Sequence, residues 1–159
     1  MCALTSSCVI PPTLDVAESN TPPVFELAGT TPDPREVVDV SQSDPTKPQP
    51  NRTRFNVSFR DPDPEPVTLR AFLGFPPYDS FLPGTQVTVG PNSSGLRVGP
   101  VDIVGLCDDL VIGGTYFVSI YISDAGFVDE GPDLRETAIL DGRKGGRDHI
   151  TWEIKCGLP

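Results

Sequence analysis

Arg54-Phe-Asn-Val-Ser-Phe-Arg60 decides the fold. Phe55, Val57 and Phe59 alternate with Asn56, Ser58 and Arg60. Successive side chains of an extended chain point to opposite faces, so this period of two gives one apolar face and one polar face, the pattern of a half-buried strand. The segment that follows, Asp61-Pro-Asp-Pro-Glu-Pro66, lacks backbone donors at alternate positions and cannot continue a ladder. It must therefore turn the chain into a second strand, Val67 to Phe75, in which Leu69, Ala71, Leu73 and Phe75 share a face.

The same reading extends in both directions. Towards the C-terminus, a Pro/Tyr/Gly-rich stretch from Pro76 to Gly84 leads to strands at Thr85 to Val89 and Leu96 to Leu106, with a turn at Gly90 to Gly95 between them. Thr115 to Ser123 turns Tyr116, Val118, Ile120 and Ile122 inward, and His149 to Cys156 turns Ile150, Trp152 and Ile154 inward, with Thr151, Glu153 and Lys155 outward. Towards the N-terminus, Val24 to Ala28 and Glu36 to Val40 read as short edge strands separated by Thr31-Pro-Asp-Pro34, and Ser41 to Pro50 as an exposed connection. About seven strands with turn signals between them predict an all-β antiparallel sandwich.

Composition agrees. The chain has 159 residues, enough for one domain and a tail, and 37% of them are hydrophobic. Its 19 Pro and 15 Gly interrupt it too often for long helices, since proline in a helix interior costs about 3 kcal/mol. A formal net charge of -10 repels a phosphate backbone, so nucleic acid is not an expected partner. The acidic residues are spread over loops such as Asp61 to Glu65, Asp108-Asp109 and Asp129 to Asp133, a distribution that serves solubility.

The four cysteines are Cys2, Cys8, Cys107 and Cys156, and none stands in a zinc-binding spacing. The simplest reading is one disulfide, Cys107 to Cys156, in an oxidising compartment. If the strands from Thr115 and from His149 pair antiparallel, the start of the first and the end of the second share a pole, where Cys107 reaches Cys156. Closing a loop of roughly fifty residues should contribute about 4 kcal/mol.

The opening Met1-Cys-Ala-Leu-Thr-Ser-Ser-Cys8, followed by Val9-Ile10-Pro11-Pro12, resembles the cleavage region of bacterial lipoproteins. In that family small residues precede a cysteine that is acylated and becomes the new N-terminus. Ser6 and Ser7 fit the small positions; Thr5 stands where the family has leucine, with Leu4 one place early. The resemblance implies lipidation at Cys8, a signal-peptide remnant and disordered, Pro-rich tether over residues 1–22, and a domain over 23–159. With Val9 rather than Asp after Cys8, it implies the outer membrane, on the periplasmic side or the cell surface. Two other readings stay open: Cys2 and Cys8 as incidental thiols of a tail, or Cys2 as the mature end.

A second resemblance lies in Asp109-Leu-Val-Ile-Gly-Gly-Thr-Tyr116, which is similar to the corner before the long central strand of immunoglobulin-like domains. It implies an immunoglobulin-like sandwich in which the Tyr116 hydroxyl bonds back to the corner. Val57 and Val118 occupy the kind of inward positions that the usual inter-sheet bridge of that fold would use.

The interval Asp124 to Asp148 is too long for a simple hairpin connection and is the candidate binding loop, with Phe127 as an apolar contact and Arg143, Lys144 and Arg147 as a basic half opposite Asp129, Glu130 and Asp133. Its other reading is a structural excursion with an extra strand or helical turn at Arg135 to Leu140. Gly142-Arg-Lys-Gly-Gly146 lacks the spacing of a phosphate loop. Asp61, Asp63 and Glu65 offer oxygens to calcium, although the prolines fix that turn without an ion. The single His149 opens a strand, and Asp148 beside it points to the opposite face, so no catalytic residues, metal or cofactor are expected. The expectation is a non-catalytic, lipid-anchored envelope module that contacts protein or glycan through its loops. The alternatives are a secreted enzyme or inhibitor on the same sandwich and a calcium-dependent adhesion domain.

Overall fold

The structure, a computed structural model, describes residues 20–74, 80–128, 139–140 and 143–159. Its strands are β1 (Val24–Phe25), β2 (Val38–Ser41), β3 (Arg52–Arg60), β4 (Val67–Leu73), β5 (Ser80–Phe81), β6 (Val87–Val89), β7 (Leu96–Val104), β8 (Thr115–Ser123), β9 (Ile139–Leu140), β10 (Arg143–Lys144) and β11 (Arg147–Gly157). No helix occurs among the described residues. The strand count exceeds the expected seven or so because short pieces add to the main strands. Among these, β9 and β10 form a hairpin inside the interval after β8. A further addition, β5, joins β6 along one edge of β4.

Thr85 explains the break between β5 and β6. Its Oγ1 accepts the Ala71 N–H at 3.3 Å and donates to the Leu82 carbonyl at 2.6 Å, so a side chain replaces a rung of the ladder. Between the pairs Phe72↔Phe81 and Leu69↔Val87 the chain opposite β4 carries three extra residues, as a bulge does.

Two sheets enclose the core. One has the order β1-β3-β7 and the other β2-β11-β8-β4-β5, with β6 also on β4. Phe55, Val57, Phe59, Val101 and Ile103 from the first meet Val67, Leu69, Ala71, Val118, Ile120, Ile122, Trp152 and Ile154 from the second, all buried. The Phe55 and Trp152 rings lie 4.9 Å apart, and Trp152 Nε1 donates to the Pro32 carbonyl at 2.8 Å, so the one indole is both packed and paired. The pairing is antiparallel except that β2 lies parallel to β11.

The outer side of β7 has no partner among the described residues. Asn56 directs its N–H and carbonyl to Thr31, so the opposed Pro100 belongs to a pair whose backbone groups face away from β3. Proline thus sits where the free edge would otherwise offer its central N–H, which blunts pairing with another chain.

The registers define two poles. The end of β3, the starts of β4, β7 and β11, and the end of β8 lie at one, which we call the strap pole because residues 20–25 cross it. At the other pole, the disulfide pole, Cys107 bonds Cys156 with Cα atoms 5.6 Å apart. This bridge ties the turn after β7 to β11, and therefore one sheet to the other. Tyr116 stands beside it, its hydroxyl accepting the Val111 N–H at 2.8 Å.

Candidate functional site

The strap pole is built around a buried cation. Alternation along β7 turns Arg97, Gly99, Val101 and Ile103 inward, and Arg97 is only 1% exposed. A residue that precedes proline is held in extended conformations. Three such residues, Asp61, Asp63 and Glu65, bring their carbonyl oxygens together on the guanidinium. Nη1 donates to Glu65 O at 2.6 Å, and Nη2 donates to Asp63 O and, at 3.4 Å, to Asp61 O. The fully buried Asp61 carboxylate lies 3.6 Å from Nη2 and accepts the Asp63 N–H at 2.9 Å. Burial raises the Asp61 pKa above the ordinary carboxylate value, and the Asp63 N–H and the Arg97 charge oppose that rise.

The turn offered to calcium is therefore organised by Arg97. Asp61 faces the guanidinium, Asp63 accepts the Thr21 N–H at 2.6 Å, and among the described residues no three His, Cys, Asp or Glu side chains converge as a metal-binding set.

The strap is stitched to the same pole. Asn20 Nδ2 donates to Asp124 Oδ2 at 2.7 Å, and the Phe25 N–H donates to Asp148 Oδ2 at 3.1 Å. Gly146 lies against Pro22, and a Cβ there would come within 2.5 Å of the Pro22 Cβ; at Gly145 it would come within 2.2 Å of the Ala125 Cβ. The two glycines thus let the returning chain pass close to both the strap and the start of the interval.

The interval leaves β8 across the outer face of the larger sheet. Phe127 is 7% exposed and packs with Phe72, Tyr121 and Phe81. Expected as an apolar contact at the loop surface, it instead lies against the sheet, because Arg70 stands beneath it. The Arg70 guanidinium is 5.1 Å from the Phe127 ring and 4.9 Å from the Phe81 ring, and Nη1 donates to Val128 O at 2.8 Å. Gln86 Oε1 accepts from its Nε and Nη2. A polar-face position of an amphipathic strand has become a second, small core.

The other sequence-derived residues fall as follows. Arg147 begins β11 and is exposed. Arg143 and Lys144 form β10, paired with Leu140 and Ile139. The structure brings Arg143, Lys144 and Arg147 to one return path, and turns Phe127 away to Arg70. Asp129, Glu130, Asp133 and Cys8 lie outside the described residues. His149 stacks on Tyr121 with centroids 4.9 Å apart, while Asp148 accepts from the His149 backbone N–H and from Phe25, so that carboxylate is occupied by backbone donors.

Sequence reasoning passed over Arg70, Arg97 and Asp124. For Arg97 a signal was present: it shares the parity of Val101 and Ile103 on a nine-residue strand. No protein-family model matches the chain, and no curated protein is significantly similar to it.

Proposed function

We propose that this chain is a non-catalytic, immunoglobulin-like envelope module, acylated at Cys8 and contacting protein or glycan through its loops. The parallel β2–β11 pair, the assignment of neighbouring strands to different sheets and the Tyr116 corner support the immunoglobulin-like part. The disulfide supports an oxidising compartment.

The observation that carries the display role is the interval after β8. Its two described ends are held by Arg70, through Val128, and by the close packing of Gly145 and Gly146, and loops on a firmly positioned scaffold are where binding surfaces concentrate. The test expresses the protein from its full open reading frame in a Gram-negative host and follows incorporation of labelled fatty acid. Wild type incorporates label and Cys8→Ser does not. Equal labelling of the two, or none in wild type, rejects acylation at Cys8.

A further inference from the structure

We infer that the strap pole is the end of the domain tethered to the lipid, and that it lies nearer to the bilayer on average than the disulfide pole. The inference rests on acylation at Cys8 and adds the orientation that follows from where the chain joins the fold. Eleven residues lie between Cys8 and Asn20, and the twelve steps from one to the other reach at most about 40 Å whatever their conformation.

The chain joins the fold at one pole only. Asn20 bonds Asp124, Thr21 bonds Asp63, Pro22 lies against Gly146, and the Phe25 N–H bonds Asp148. These contacts bring together the turn after β3, the end of β8 and the start of β11, so the point of attachment is fixed rather than sliding along the sandwich. The nine residues of β8 run from that pole to the disulfide pole, and at the usual rise they separate the two by roughly 30 Å. The strap pole therefore stays within about 40 Å of the bilayer, whereas the disulfide pole is free to move out to roughly 70 Å, so its average distance is the greater.

Two consequences follow for the surfaces. Arg147, at the start of β11, lies at the tethered end together with the acidic turn Asp61 to Glu65. Val111, Ile112 and Leu158 are 74%, 45% and 68% exposed beside the disulfide and stand on the far side.

The test uses the acylated full chain in phosphatidylcholine vesicles that carry a headgroup-linked energy acceptor. Donors are placed singly at Ser93→Cys, in the exposed turn before β7, and at Ile112→Cys, at the disulfide pole. Energy transfer is expected to be about twofold or more stronger from position 93, given a pole separation of roughly 30 Å. Equal transfer, or stronger transfer from 112, in protein that floats with the vesicles overturns the orientation while leaving the anchor intact. Protein that does not float lacks the anchor, and the inference falls with it.

Discussion

Replacing Arg97 with Met should be among the most damaging single changes in the domain. Methionine keeps much of the apolar stem volume, so the loss is electrostatic rather than a cavity. The substitution removes the donors to Glu65 O, Asp63 O and Asp61 O and leaves the Asp61 carboxylate buried beside Asp63 and Asp124 without its cation. Breaking a buried pair in this way costs about 3–5 kcal/mol. A domain of this size has only about 5–15 kcal/mol in total.

The loss should also depend on pH. A carboxyl whose folded pKa is raised contributes stability that is full below its unfolded value and is lost as pH rises through the folded value. Without Arg97 the folded pKa of Asp61 moves higher still. The deficit of the variant should then be larger at neutral pH than at mildly acidic pH. Urea unfolding followed by the fluorescence of Trp152, the single tryptophan and fully buried, reads both quantities. Adding Asp61→Asn should restore much of the loss, a coupling that a double-mutant cycle isolates. A cost below about 1 kcal/mol, or the same cost at both pH values, refutes this account of the turn.

Three further changes test other parts of the structure. Cys107→Ser with Cys156→Ser opens a loop of sequence separation 49 and should lower stability by about 4 kcal/mol, read in urea against the oxidised parent; a loss under about 1 kcal/mol contradicts the bridge as a main support. Tyr116→Phe deletes the acceptor of the Val111 N–H and should cost about 1 kcal/mol by thermal unfolding, with no change if the corner bond is idle. Gly145→Ala places a methyl against Ala125 and should cost on the order of 1–3 kcal/mol, whereas Gly90→Ala meets no atom within 4 Å and should be neutral or slightly stabilising; equal effects would deny the close approach at Gly145.

The inward faces were legible because a period of two is a direct image of the strand. Phe55, Val57 and Phe59 are fully buried, as are Val118, Ile120, Ile122, Trp152 and Ile154, and the edge positions of β1 and β2 follow from their shortness and flanking prolines. The cysteine pairing was legible because the antiparallel β8–β11 ladder places both residues at one pole.

The outer face of the larger sheet was not legible. Arg70 and Tyr121 occupy polar-side positions of their strands, yet both are buried because Phe81 of β5 and the Phe127–Val128 segment pack over them. Such cover comes from distant chain, which no local period reports. For Arg97 the inward parity was legible but its partners were not: a charged residue on an inward position is acceptable only if several carbonyls converge on it, and that convergence depends on the three-dimensional path of the Asp61–Pro66 turn. The parallel β2–β11 pair is likewise a matter of topology, since a short apolar run has no direction of its own.

The proposal that most organises the reading of this chain is that Cys8 carries lipid and that the folded domain, closed by one disulfide, stands outside the reducing cytoplasm. Its most direct test is the intact mass, under non-reducing conditions, of protein purified from a Gram-negative envelope after expression from its full open reading frame. The account predicts a species that begins at Cys8, carries acyl chains and is lighter by the two hydrogens of the Cys107–Cys156 bond. An unprocessed chain with four free thiols would contradict both the anchor and the compartment.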